Sequence, residues 1–267
     1  MRTERPFKSD HAVTREPHRL LEISHVEKIF PGDVVALRDM SLQVNQGDFI
    51  SLLGPSGCGK STVLRLIAGL LGSDSGSITW QGGQRDGDLG MVFQAPTLMP
   101  WARVIDNVFL PLRLRGESFR HHKQELMHTL ELVGLEQFAS AYPRELSGGM
   151  KMRVSIARAL ITRPRLILMD EPFASLDEIT RLKMNSELLS LQEQIGCTVV
   201  FVTHSVSEAI FLSNRVIVMA ARPGRVIREL TIDLQRPRTI ELATTPEFSI
   251  YTQQVLEALQ LSMASES

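Results

Sequence analysis

Cysteine is nearly missing from this chain of 267 residues: Cys58 and Cys197 are the whole complement. Two thiols cannot build a disulfide framework, so an apolar core must hold the fold, and a reducing compartment is the simpler setting. Long apolar runs are missing too. The longest, such as "VVFV" and "VIVMAA", fall far short of the roughly 18 residues that a membrane-spanning helix requires. The first twenty residues, "MRTERPFKSDHAVTREPHRL", are polar and charged without an apolar centre; this excludes a secretion signal and reads as a tail over residues 1–20. If the protein works at a membrane, another chain holds it there. Charge of one sign is also lacking, since 29 basic and 30 acidic side chains leave a formal net charge of −1. Phosphate-backbone binders carry a basic surplus, so nucleic acid is excluded as the main partner. The histidines and cysteines show no metal-ligand spacing; His121, His122 and His128 read as a solvated helix face, and no structural zinc is expected. No internal repeat or low-complexity segment occurs.

What is present is 43% hydrophobic and 22% charged residues, in a chain long enough to bury a substantial core. Three short apolar runs end in chemically loaded residues: "FISLLG" enters a glycine-rich loop, "RLILMDEP" ends in two carboxylates, and "CTVVFVTHS" ends in a histidine. Runs of this length bounded by glycine, proline or polar groups suit strands buried on both faces of a parallel sheet. Helical patterns lie between them. Leu64, Ile67, Ala68 and Leu71 recur at helical spacing, and residues 178–195 read as a helix closed by Gly196. Such alternation predicts an α/β sheet whose ligands gather at the carboxyl ends of the strands, bringing Lys60, Asp170, Glu171 and His204 to one edge.

Around this core three further regions are expected. Leu21–Phe30 and Val34–Val44 read as strands of an antiparallel section. From about residue 95 to 161 the pattern is mainly helical, with Phe119, Leu126, Leu130 and Val133 as one apolar stripe, and reads as an inserted helical subdomain. Near the end "RELTIDL" alternates as a half-exposed strand should, through Leu230, Ile232 and Leu234. Residues 246–267 form a C-terminal helix and tail with Phe248, Tyr251, Val255, Leu256 and Leu259 on one face.

Gly54, Gly59, Lys60 and Ser61 satisfy the spacing GxxxxGK[ST] within "GPSGCGKST". Glycines let the backbone approach phosphates with its amides turned inward, and the following helix adds its positive N-terminal end. The loop Gly54, Pro55, Ser56, Gly57, Cys58, Gly59, Lys60, Ser61 and Thr62 is therefore read as a cradle for ATP. In it Lys60 reaches the β- and γ-phosphates, the Ser61 hydroxyl serves Mg²⁺ and Thr62 adds an α-phosphate contact. A modified Cys58 thiol is expected to block phosphate entry.

Asp170 and Glu171 are adjacent at a strand end, where successive side chains diverge and do different work. Asp170 is expected to hold Mg²⁺ through water, and Glu171 to polarise the water that attacks the γ-phosphate. His204 alone would read as a core histidine; at a third strand end it reads as a γ-phosphate contact. A second anion site follows in "LSGGMKMRVSIARAL", where Ser147, Gly148 and Gly149 place a hydroxyl and free amides at a helix N-terminus.

Together "GPSGCGKST", "LSGG", "MDEP" and "VTH" give a pattern that resembles the ATP-binding cassette (ABC) ATPases from Leu21 to about Leu234. The resemblance implies a P-loop NTPase (RecA-like) core with an antiparallel section and an inserted helical subdomain, over residues 21–245. It implies that Phe30 stacks on adenine, that Gln94 senses Mg²⁺ and water, that Asp177 is the acid of the loop after the carboxylates, and that His204 is the switch histidine. It also implies a head-to-tail homodimer in which Ser147, Gly148 and Gly149 complete the other copy's ATP site. Met150 and Met152 stand where that family commonly has glutamine.

Further stretches, "FQAPTLMPWARVIDNV", "MDEPFASLDEITR" and "VMAARPGRVIRELTIDLQRPR", resemble the ATPase subunits of bacterial nitrate, sulfonate and taurine importers. That branch implies a permease contact at Leu98, Met99, Pro100 and Trp101, an indirect partnership with a solute-binding protein, and a peripheral place on the cytoplasmic face of the inner membrane. No room is expected for a fused regulatory domain after the last helix. An importer of another small solute, such as a pyrimidine vitamin precursor, is the alternative; a non-transport ABC ATPase of translation or DNA repair would need a second cassette or a long coiled-coil insertion. A P-loop kinase would leave "LSGG" and the strand-end histidine without a role.

Overall fold

The three apolar runs become parallel neighbours. β3 (Phe49–Leu53), β6 (Leu166–Asp170) and β7 (Thr198–Val202) join β5 (Leu89–Val92), β8 (Arg215–Ala220) and β9 (Arg225–Thr231) in one six-stranded sheet of order β5-β6-β7-β3-β8-β9. All pairings in it are parallel except β8 with β9. In this computed structural model, which describes residues 18–264, alternate residues of each central strand enter opposite cores. Phe49, Val199 and Phe201 face one side; Ile50, Leu52, Val200 and Val202 face the other. Each such side chain removed from water contributes about 1.5–3 kcal/mol, which is why these strands read as unbroken apolar runs.

One face of the sheet carries the antiparallel section, built from β1 (Arg19–Phe30), β2 (Val34–Asn45) and β4 (Ser75–Trp80) in the order β2-β1-β4, together with α1 (Lys60–Ile67). The other face packs on α2 (Val104–Leu114), α3 (Phe119–Leu132) and α4 (Gly148–Leu160) of the helical subdomain, and on α5 (Glu178–Ile195), α6 (Val206–Leu212) and α7 (Pro246–Ala264). α5 starts on its Asp177 cap and ends at Gly196, whose φ of 71° suits glycine. The stripe on α3 is borne out: Leu126 and Leu130 are fully buried, and Phe119 meets Phe109 of α2 edge to face at 5.2 Å.

Several boundaries move. β1 begins at Arg19 and Leu20 is fully buried, so the end of the expected tail is already strand; residues 1–17 lie outside the described ones. α1 stops at Ile67, leaving Leu71 beyond it in a turn. β9 ends at Thr231, yet Leu230, Ile232 and Leu234 are all buried. On α7 the packed face runs through Phe248, Val255, Ala258 and Ser262; Leu256, one residue round the helix from Val255, is 46% exposed.

The segment after β9 is held by a buried arginine. Arg238 is 5% exposed and donates from Nη1 to the carbonyls of Ile210, Phe211 and Ser213 (3.0, 2.9 and 2.8 Å), closing the C-terminal end of α6. Its Nη2 reaches Ile232 O at 3.3 Å and Leu234 O at 3.5 Å, drawing these carbonyls out of the strand ladder. Burial lowers its pKa to about 10, still charged at neutral pH, and the carbonyl end of the helix supplies the compensating partial charge. Arg238→Ala should strand five buried carbonyls and lower stability by about 3 kcal/mol or more. That corresponds to roughly 6–12 °C in Tm for a chain of this size, readable by calorimetry.

Candidate functional site

β7 lies between β6 and β3, so the carboxyl ends of all three strands open at one place. Leu52 and Asp170 both pair with Val202, and beyond these the amide of Glu171 donates to Val202 O while that of Thr203 donates to Leu52 O. The loop after β3, the two carboxylates after β6 and the histidine after β7 are therefore fixed on one sheet edge.

The loop is packed too tightly for side chains at Gly54 and Gly59, while Gly57 has open space around it and a φ of 79°. A Cβ on Gly54 would lie 2.5 Å from Met219 O, and one on Gly59 would lie 2.6 Å from Leu37 Cδ2; Gly59 also has a φ of 90°. Lys60 is 7% exposed, with its Nζ held by Gly54 O at 2.8 Å and Pro55 O at 3.0 Å. The ammonium thus sits inside the curl of the loop, aligned by backbone carbonyls rather than by a carboxylate. Ser61 Oγ donates to Asp170 Oδ1 at 2.9 Å, and His204 Nδ1 lies 3.4 Å from Glu171 Oε2. Glu171 has a φ of 47°, a conformation an L-residue rarely adopts, which turns it away from the line of β6. The two adjacent carboxylates accordingly face different groups: Asp170 accepts a hydrogen bond from the loop serine, and Glu171 lies within ion-pair distance of the histidine.

A cavity of about 440 Å³ opens over this edge, lined by Phe30, Val34, Ala36, Ser56, Gly57, Gly59, Lys60, Ser61, Thr62, Glu171 and Arg222 among others. Phe30 ends β1 and has Lys28 Nζ 5.8 Å from its ring centroid. A somewhat larger cavity of about 510 Å³ lies at the opposite ends of the strands, but its charged lining is already paired, Arg163 with Glu125 and Arg165 with Asp88. Ligands of open α/β sheets bind at the carboxyl ends, which favours the smaller cavity.

Ser147, Gly148 and Gly149 lie outside that lining, at the start of α4. Ser147 is exposed and caps the helix by accepting from Met150 N at 3.3 Å. Met152 is 1% exposed and Met150 packs against the same core, so both methionines are used as apolar packing. Asp177 accepts from Thr180 N at 3.0 Å, and hydrogen bonding from the Thr180 side chain, then from its backbone, keeps the carboxyl below the usual range. Gln94 follows β5 and is exposed.

Three residues without a motif hold these parts. Arg158 of α4 donates to Pro96 O, Thr97 O and Thr97 Oγ1, all at 2.9 Å, tying the serine-glycine helix to the loop after Gln94. Asn107 is fully buried and bonds Met99 N and O, Ala102 O and Arg103 O, so the loop bearing Trp101 is pinned while Trp101 is 76% exposed. Glu208 accepts from Thr203 Oγ1, which in turn accepts from Ser205 N, bracing both sides of His204. Their signal in the sequence is a polar residue on the apolar side of a helix.

The reading of the Cys58 thiol needs correction. It is fully buried, in the core behind the loop rather than in the cavity, 3.6 Å from Lys60 Nζ. Only the backbone of this residue is left to serve the cradle.

A doubly covered parallel sheet, a glycine cradle with an inward lysine and a carboxylate–histidine pair on one edge define a P-loop nucleotide-hydrolysing protein. The family model described as ABC transporter matches residues 37–174. A nitrate import ATP-binding protein of Synechocystis is 42% identical over 252 residues, 90% of this chain and 95% of that one. A taurine import ATP-binding protein of Rhizobium johnstonii is 45% identical over 224 residues, 81% and 86% of the two chains. Among solved structures, a dimeric ATP-binding cassette in a post-hydrolysis state with ADP and Pi superimposes with a TM-score of 0.68 at 32% identity, over 81% of this chain and all of that one. The chain belongs to the ABC transporter family. It is an ATP-binding subunit and an ATPase whose hydrolysis is coupled to transport.

The burial of both cysteines can be checked directly. Desolvation raises the pKa of the Cys58 thiol against the opposing pull of Lys60, and pushes Cys197 up to about 11. At pH 8 both are neutral and covered, so the native protein should react slowly with a thiol-specific disulfide reagent and the guanidinium-unfolded protein fast, at two thiols per chain. Fast native reaction with loss of ATP binding would put Cys58 back in the cradle.

Proposed function

We propose that this chain is the motor of a bacterial importer for a small anion of the nitrate, sulfonate or taurine type, working as a head-to-tail homodimer. The pairing of Glu171 with His204 beside the Lys60 loop carries the hydrolytic part of this reading. The import-protein names of the nitrate and taurine relatives support the cargo class. ATP fits the site: Gly54 and Gly59 leave no room for side chains, Lys60 faces the cradle, and Phe30 offers a ring at the cavity's edge. Mg²⁺ fits too, because Ser61 and Asp170 present hard oxygen donors 2.9 Å apart.

In the proposed reaction Lys60 and the amides of the loop bind the β- and γ-phosphates, and Thr62 adds a contact to the α-phosphate. Ser61, Gln94 and Asp170 would hold Mg²⁺, Asp170 through water; the bound ion neutralises charge on the phosphate oxygens. Glu171 orients a water and takes up its proton as the oxygen bonds to the γ-phosphorus. The bond to the bridging oxygen breaks, ADP departs, and His204 bonds the γ-phosphate while it is held by Glu171. Ser147, Gly148 and Gly149 complete the site of the other copy: Ser147 and Gly148 are exposed and Gly149 half-buried, none lines the phosphate cradle of their own chain, and they stand at a helix N-terminus. Asp177 borders the same interface. The pinned, exposed loop from Leu98 through Met99 and Pro100 to Trp101 suits docking to a permease. Such an assembly would hold the chain on the cytoplasmic face of the inner membrane, with a solute-binding protein as an indirect partner; among the described residues no helix is long and apolar enough to cross a membrane.

Glu171→Gln should retain ATP binding, lose about 10²–10⁴ in turnover and accumulate as an ATP-bound dimer, readable by phosphate release and light scattering. Ser147→Arg should suppress hydrolysis while the monomer still binds ATP. A Glu171→Gln protein with normal turnover would move the base elsewhere, and loss of monomer binding in Ser147→Arg would remove the trans role.

A further inference from the structure

We propose that Arg222, in the turn between β8 and β9, binds the polyphosphate of the nucleotide held by its own chain. This rests on the reading of the Lys60 loop as the ATP site and adds a residue to it that no motif includes.

The turn is pressed against the cradle on two sides. Gly224 N donates to Ala36 O, and Arg38 N donates to Gly224 O, each at 3.0 Å. A Cβ on Gly224 would lie 2.3 Å from Cys58 O and 2.8 Å from Ala36 O, so the backbone of the turn touches the backbone of the loop. Ala221, on the other side of Arg222, is 3% exposed. Between these anchored neighbours Arg222 is exposed, and its φ of 51° breaks the line of β8. It lines the same 440 Å³ cavity as Ser56, Gly57, Lys60 and Phe30.

Among the described residues the Arg222 guanidinium makes no ion pair or side-chain hydrogen bond; the same holds for surface arginines such as Arg65, Arg113 and Arg228, and what sets Arg222 apart is its place on the wall of the nucleotide cavity. Lys60 is the other side-chain cation of the cavity wall, and one ammonium together with a divalent ion still leaves a triphosphate's fourth negative charge without a partner. The planar donor fork of arginine matches phosphate oxygens, and an anchored turn limits the entropy lost when it binds. Because the residue is exposed, its contact should be modest and weakened by salt.

The test is equilibrium binding of AMP, ADP and ATP to the full chain at low salt. Arg222→Ala should weaken ATP and ADP about tenfold and AMP less than twofold, with Arg222→Lys in between. In steady state the Ala variant should raise KM for ATP by a similar factor with kcat within twofold. Arg225→Ala, beyond the turn and outside the cavity lining, should match the wild type. ATP binding by Arg222→Ala within twofold of wild type, or equal losses for all three nucleotides, overturns the proposal; both variants falling together with Arg225→Ala would do so too, as a general effect of the turn. Lys60→Ala separates the premise from the inference: if it still binds ATP normally the site itself is misread, whereas its loss of binding beside an unaffected Arg222→Ala sinks only the role of Arg222.

Discussion

Everything at the site depends on β7 lying between β6 and β3 with both faces of the sheet covered. Parallel pairing puts all carboxyl ends on one side, so three loops with no local reason to meet must share an edge. The alternation of Phe49, Val199 and Phe201 with Ile50, Val200 and Val202 keeps that register, because a slip by one residue would exchange the two cores. The hydrogen bond from Ser61 to Asp170 and the contact of His204 with Glu171 span 109 and 33 positions of chain, yet each is the direct result of neighbouring strands ending together. The rigid sheet removes most of the entropy that would otherwise oppose such meetings.

The remaining polar groups near the site serve to hold loops still. Glu208 braces the turn of His204, Asn107 closes the loop of Trp101, and Arg158 ties that loop's approach to the helix capped by Ser147. Arg238 does the same for the end of α6. Each satisfies backbone groups that a loop cannot pair by itself, at positions where an orphaned carbonyl or amide would cost more than the bond contributes. A consequence is mechanical: the helix capped by Ser147 and the loop of Trp101 are joined through Arg158 and Asn107 as well as through the packing of α2 on α4.

How much was legible beforehand varies with the range of the interaction. Asp170, Glu171 and His204 were readable because each follows a short apolar run, and Lys60 because it stands at a fixed spacing in the glycine-rich loop that follows another. Cys58 was misplaced because motif position says that a residue belongs to a loop but not which side of the loop its side chain takes; here the thiol turns into the core beneath. Leu256 was misassigned for a related reason, since five apolar residues on a terminal helix need not all fit one face. Arg222 had no signal, as nothing local distinguishes an arginine in a turn from any other.

The amino-acid order alone determined the strand cores, the glycine-rich loop after β3 and the capped helices, the one beginning at Ser147 among them, because these follow from spacing over a few residues. Only the tertiary structure decided which carboxylate meets the serine and which the histidine, that the Cys58 thiol is shielded, and that the β8–β9 turn reaches the cradle. Those outcomes depend on strand order and on the direction of individual side chains, which are fixed by packing between segments far apart in the chain.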